Sequence, residues 1–103
     1  MSVPNAAPAV SIICPAFNEE DGIGPAIAKL RGCLDRLPIS AEVLIINDGS
    51  TDRTVAMARE AIGTDARFRV FSHHVNFGRG RAMRTGFQEA RGAIIITTEA
   101  DLS

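Results

Sequence analysis

Four apolar runs separated by three amphipathic spans make up most of the chain. Ala9-Val10-Ser11-Ile12-Ile13-Cys14 is nearly continuous and is closed by Pro15, the pattern of a strand buried on both faces. Ile23, Ala26, Ile27, Leu30, Leu34 and Leu37 then recur at three- and four-residue steps with charges between them. That spacing predicts an amphipathic helix ending near Pro38, with Pro25 tolerated in its first turn. Glu42-Val43-Leu44-Ile45-Ile46-Asn47 reads as a second buried strand. A helix follows from about Thr54 to Ile62, with Val55, Ala58 and Ile62 inward and Ser50 or Asp52 as its cap. Phe68-Arg69-Val70-Phe71-Ser72 alternates and suits a half-exposed edge strand. A third helix carries Ala82, Met83, Phe87 and Ala90, Gly92 stands where a C-cap glycine belongs, and Ala93 to Thr97 forms the last strand.

Strand and helix alternate throughout. This predicts an α/β fold of three layers, a mostly parallel sheet with helices on both faces. Residues 1–8, rich in Pro and Ala without period, read as a flexible N-terminal arm, and residues 9–103 as one domain. In such sheets ligands bind beyond the carboxyl ends of the strands. Three of the four strand ends carry distinctive polar residues: Phe17-Asn18-Glu19-Glu20, Asn47-Asp48-Gly49-Ser50 and Glu99-Ala100-Asp101.

Composition narrows the classes of partner. The net charge of −1 argues against nucleic acid, and the absence of Trp and Tyr against a base-stacking platform. Cys14 and Cys33 show no metal-ligand spacing and read as buried free thiols in a reducing cytosol. No apolar stretch approaches the roughly 20 residues that span a bilayer, and the N-terminus has no secretory pattern. The expectation is a soluble chain, cytoplasmic or at the cytoplasmic face of a membrane.

The candidate chemistry gathers at the strand ends. Glu99 and Asp101 stand at i and i+2 of an extended segment, so both carboxylates can reach one hard cation, and such a cation can hold a diphosphate. The competing reading is a polar strand end facing solvent. Phe17 can pack on a nucleobase while Asn18 and Glu19 hold ribose or base edges; alternatively, Asn18 or Asp21 caps a helix. Asp48 can accept from a base N–H or ribose hydroxyl, with Gly49 admitting the ligand to the backbone, or the pair can form a plain Asp-Gly turn. Gly78, Arg79, Gly80 and Arg81 place permissive glycines and two guanidinium groups before a helix, as a diphosphate would require, although neither a P-loop nor a dinucleotide spacing is present. His73 and His74 read as a solvated strand end, without a carboxylate or cysteine to complete a site.

Together these stretches resemble the N-terminal half of a family 2 glycosyltransferase of the GT-A fold, a Rossmann-like nucleotide-diphospho-sugar transferase fold. The matching segments run from Ile12-Ile13-Cys14-Pro15-Ala16-Phe17-Asn18-Glu19-Glu20 through Val43-Leu44-Ile45-Ile46-Asn47-Asp48-Gly49-Ser50-Thr51-Asp52 and Asn76-Phe77-Gly78-Arg79-Gly80-Arg81-Ala82 to Thr98-Glu99-Ala100-Asp101-Leu102-Ser103. The last two look most like the polyprenyl-phosphate (dolichyl-phosphate) mannose or glucose synthase branch. The resemblance implies that Pro15, Ala16, Phe17, Asn18, Glu19, Asp48 and Gly49 surround the nucleoside of a GDP- or UDP-sugar. It implies Mg²⁺ or Mn²⁺ at Glu99 and Asp101, the DxD positions, and inverting sugar transfer to a lipid-phosphate acceptor. Glu99 stands where the family carries Asp, and Asn47 replaces an acidic residue common beside Asp48. Family domains continue well past DxD, so no general base is named, and residues 9–103 would be a partial domain. An exposed sheet edge inviting self-association follows from that. An isolated nucleotide- or metal-binding module without turnover is the alternative.

Overall fold

The computed structural model describes residues 7–100. The expected arm therefore falls largely outside the described residues, as does Asp101. The elements are β1 (Val10–Ala16), α1 (Ile23–Arg36), β2 (Ala41–Asp48), α2 (Thr54–Ile62), β3 (Phe68–His73), α3 (Arg79–Glu89) and β4 (Ile94–Thr97). All strand pairs are parallel, in the order β3-β2-β1-β4. The expected three-layer α/β arrangement is thus present, with β3 at one edge.

Alternation along the strands divides the core in two. Val10, Ile12, Cys14 and Ala16 of β1 join Val43 and Ile45 of β2 beneath α1 and α2, where Ile23, Ile27, Leu30, Leu34, Ala58 and Ile62 meet them. Ile13, Leu44 and Ile46 face the other way, against Ala82 and Met83 of α3. Burial on both faces explains why β1 and β2 read as unbroken apolar runs. β4 differs: Ile94 is 57% and Ile96 48% exposed, because no described helix reaches over it. Among the described residues β4 is thus an exposed edge of the sheet.

Several local expectations change. Leu37 lies past the end of α1 and is exposed. Thr54, rather than Val55, is buried with Ala58 and Ile62 in α2. The inner stripe of α3 is Ala82 and Gly86 with Met83, and a Cβ at Gly86 would lie 2.5 Å from Ile13 Cγ2 of β1, while Phe87 is exposed. Gly92 is not the cap of α3, which is Ala90; a Cβ at Gly92 would lie 2.7 Å from the Ser11 nitrogen, so this glycine lets the chain pass against β1. Cys14 is buried as expected, but Cys33 is exposed on the outer face of α1.

Polar knots tie the layers together. Arg31 of α1 donates to the carbonyls of Ala61 and Ile62 at the carboxyl end of α2, where a cation is favoured, and to Asp65. Hydrogen bonds from Arg67, opposed by partial burial and joined by those from Arg31, hold the Asp65 carboxyl far below the usual carboxylate range. Among the described residues no buried side-chain nitrogen or oxygen lacks a hydrogen-bond partner.

Candidate nucleotide-sugar site

β1 is central, and the chain leaves its carboxyl end toward β2 on one side while β4 lies on the other. That is the topological switch point of an open α/β sheet, where a crevice forms. A cavity of about 370 Å³ opens there, lined by Pro15, Ala16, Phe17, Glu19, Asp48, Asn76, Gly78, Arg79, Ala82, Glu99 and Ala100. Its volume falls within the range of small-molecule sites. The polar strand ends singled out in the sequence converge on this one place.

The wall after β1 is built by the loop after β2. Asn18 adopts φ +50°, a left-handed conformation that Asn tolerates. Its N–H donates to Ser50 Oγ at 2.9 Å, and its Oδ1 accepts the Thr51 N–H at 2.9 Å. The Glu19 N–H donates to Thr54 Oγ1 at 2.8 Å, and Thr54 in turn donates to Asp52 Oδ1 through both its N–H and its hydroxyl. Asn18, Ser50 and Asp52 are therefore committed to holding two loops together. Neither Asn18 nor Asp21 caps α1, whose cap is Gly22 without a side-chain bond. Phe17, 44% exposed, is left on the cavity wall.

Gly49 packs against another part of the chain. Its φ is +71°, and a Cβ there would lie 2.1 Å from the Val75 carbonyl carbon. What approaches this backbone is the chain's own β3–α3 loop, and Gly49 does not line the cavity.

Asp48 is the hub of that loop. Its Oδ1 accepts from His73 Nδ1 at 2.9 Å and the Phe77 N–H at 3.0 Å; its Oδ2 accepts from Asn76 Nδ2 at 3.1 Å and the Gly78 N–H at 2.8 Å. Burial opposes ionisation, but these bonds, that of His73 foremost, outweigh it and keep the carboxyl below its ordinary value. The solvated strand end expected for His73 and His74 is half right. His74 is exposed, whereas the His73 side chain is 12% exposed and lies between Asp48 and Thr85. The carboxylate that completes its surroundings comes from 25 residues upstream, a separation that no local pattern reveals.

The opposite wall carries charge. Arg79, in the first turn of α3, pairs with Glu99 through its two terminal guanidinium nitrogens, one contact at 2.7 Å, and both side chains are about half exposed. Arg81 points elsewhere, its guanidinium 4.8 Å from the centre of the Phe77 ring, and Gly80 does not line the cavity. Of the four residues expected at a diphosphate, Gly78 and Arg79 are brought to the site. Asn76, Ala82 and Ala100 line it as well and were not singled out. Asn76 opened the glycine-rich run and Ala82 lies one turn from Arg79, but small and amide side chains carry no chemistry that marks them beforehand. Among the described residues no group of three or more His, Cys, Asp or Glu gathers as a metal site. Glu99 brings hard oxygen donors to the rim, the type that Mg²⁺ and Mn²⁺ prefer.

The profile of the family described as glycosyl transferase family 2 matches residues 11–103. The chain belongs to this family. The dodecaprenyl-phosphate galacturonate synthase of Rhizobium johnstonii is 35% identical over 94 residues, spanning 90% of this chain and 28% of that protein. The undecaprenyl-phosphate 4-deoxy-4-formamido-L-arabinose transferase of Pseudomonas fluorescens is 31% identical over 94 residues, again spanning 90% and 28%. Among solved structures, the mannosyltransferase of Pyrobaculum calidifontis in complex with GDP-Man and Mn²⁺ superposes with a TM-score of 0.73 at 25% identity, covering 95% of this chain and 29% of that one. The glucosyl-3-phosphoglycerate synthase of Mycobacterium tuberculosis with Mn²⁺, UDP and glucosyl-3-phosphoglycerate gives 0.71 at 25% identity, covering 90% and 33%. The glycosyltransferase family 2 chain thus has the N-terminal part of the GT-A fold and spans less than a third of the length of these curated relatives.

Proposed function

We propose that the cavity binds the nucleotide-diphosphate part of a sugar donor, and that residues 9–103 form the donor-binding part of an inverting glycosyltransferase acting on polyprenyl phosphate. The observation that carries this reading is the composition of the cavity at the switch point. One wall is an aromatic and a carboxylate after β1, and the other sets the Arg79 guanidinium, at the start of α3, beside the Glu99 carboxylate after β4. Pro15, Ala16 and Phe17 suit the nucleoside, with Glu19 near its ribose. Arg79, at the positive end of α3, suits the diphosphate. Glu99 and Asp101 would hold Mg²⁺ or Mn²⁺, which when bound neutralises the departing nucleoside diphosphate. Arg79 and Glu99 neutralise each other in the free protein, so a metal–diphosphate ligand exchanges one ion pair for two. The acceptor class rests on the names of the relatives, a dodecaprenyl-phosphate galacturonate synthase and an undecaprenyl-phosphate 4-deoxy-4-formamido-L-arabinose transferase.

Calorimetric titration of UDP and GDP, each with and without Mn²⁺, tests the reading on the wild-type chain, Glu99→Gln and Asp101→Ala. Metal-dependent binding of one nucleotide, weakened about tenfold or more in both variants, is expected. Binding that ignores both the metal and the substitutions would refute the metal site, and no binding of either nucleotide would refute the donor cavity.

A further inference from the structure

We propose that His73 is a positioning residue: by holding Asp48 it sets the Asn76–Arg79 segment that walls the cavity. An ionised carboxylate has about four acceptor positions, and the four donors on Asp48 all come from the protein itself. Asp48 therefore lines the cavity with each of its oxygens already accepting two hydrogen bonds from the protein.

The chemistry of the ring fixes the direction of the bonds. A carboxylate only accepts, so His73 Nδ1 must carry a hydrogen and donate it. In the neutral ring Nε2 then accepts from the Thr85 hydroxyl, at 2.8 Å, in the middle of α3. His73 thus joins the ends of β2 and β3 to α3 by two directed bonds, and the Phe77 ring meets its edge with centroids 5.5 Å apart. The segment between β3 and α3 has little else to hold it, with Val75 55% and Phe77 50% exposed. Few apolar contacts and a set of polar ones describe a segment whose order depends on those bonds. It delivers Gly78 and Arg79 to the cavity, so the place of the Arg79 guanidinium opposite Glu99 follows from His73 at one remove.

The test separates the two bonds. Asn places its amide nitrogen about where His Nδ1 lies and can donate to Asp48 alone; Gln places its nitrogen about where Nε2 lies and can reach Thr85 alone. Amide hydrogen exchange, measured without nucleotide on wild type, His73→Asn, His73→Gln and His73→Ala, follows the Phe77 and Gly78 N–H groups that donate to Asp48. Exchange about tenfold or more faster in the Gln and Ala variants is expected, with the β1 and β2 amides unchanged and the Asn variant within about threefold of wild type. Equal protection of Phe77 and Gly78 in all four proteins would overturn the proposal. So would uniform acceleration of every amide, which marks a purely global role, or a Gln variant that behaves like the Asn variant. The same series titrated with GDP and UDP in the presence of Mn²⁺ carries the effect to the cavity and rests on the donor reading. Absence of binding in the wild type would sink that reading, while the exchange result still decides the role of His73.

Discussion

Glu42 and Asp48 lie six residues apart on the same strand, both buried, both ionised, and they hold opposite ends of the sheet. Glu42, near the amino end, accepts from Ser11 Oγ at 2.6 Å, from Arg69 at 3.1 and 2.8 Å, and from the Arg91 N–H at 2.8 Å. Ser11 Oγ accepts in turn from the Gly92 N–H, and Arg69 also donates to the Glu89 carbonyl. These partners belong to strands and to the chain leaving α3, away from the cavity. Of the partners of Asp48, His73 ends β3 and the other three, Asn76, Phe77 and Gly78, belong to the loop that follows it, and that loop is a wall of the cavity. The physics is the same in both places: a buried carboxylate is tolerable only with its acceptors filled. What differs is the rigidity of the donors. Where the donors are already fixed by a sheet, the carboxylate adds stability to the fold; where they lie on a loop, it sets the shape of a site.

The largest expected difference comes from Glu42→Ala. It leaves Arg69, Ser11 and the Arg91 N–H without their shared acceptor, and a loss of about 3–5 kcal/mol is expected in urea denaturation. Nucleotide affinity of the protein that remains folded should be unchanged, and a matching loss of affinity would break the comparison. Asp48→Asn should cost less, about 1–3 kcal/mol, because the amide keeps one acceptor oxygen while turning an N–H₂ toward two of the former donors. Here the affinity for nucleotide should fall more than the stability, the reverse of the Glu42 result.

Acid is the mildest perturbation. Burial works against the charge on Glu42, but the bonds from Ser11, Arg91 and Arg69 prevail and lower its pKa, as those from His73, Phe77 and Gly78 do for Asp48. A group whose pKa is lower folded than unfolded stabilises above the unfolded value, about 4, and loses that contribution as pH falls toward the folded one. Stability should therefore decline below about pH 4 and stay level between pH 5 and 7, as followed by circular dichroism. Glu42→Gln should flatten the decline in part, and a wild-type chain more stable at pH 3 than at pH 6 would contradict both assignments.

Most of the fold was legible because its signals are local. β1, β2 and α1 carry their periodicity within their own residues, and the expected bounds of α2 match. The strand ends that carry polar residues were legible too, since ligands of parallel sheets gather at carboxyl ends. The role of each polar residue was harder to read. Asn18, Gly49 and Asp48 were read either as ligand contacts or as cap and turn residues; each meets another loop of the chain, and Asp48 lines the cavity as well. A side chain chooses between ligand and protein by what stands within about 3 Å of it, and those neighbours lie some 25 to 33 residues away.

The sequence by itself determined the alternation of strand and helix, the parallel sheet, the rim where chemistry would gather and the family. These follow from period, turn residues and motif order, which are properties of neighbouring positions. Only the tertiary structure decided that Asp48 serves a loop, that His73 is enclosed rather than solvated, that Arg79 and not Arg81 faces Glu99, and that β4 stays bare on its faces. Hydrogen bonds form between groups that the fold brings within reach, and burial depends on which elements lie over a strand. Neither is a property of any single segment.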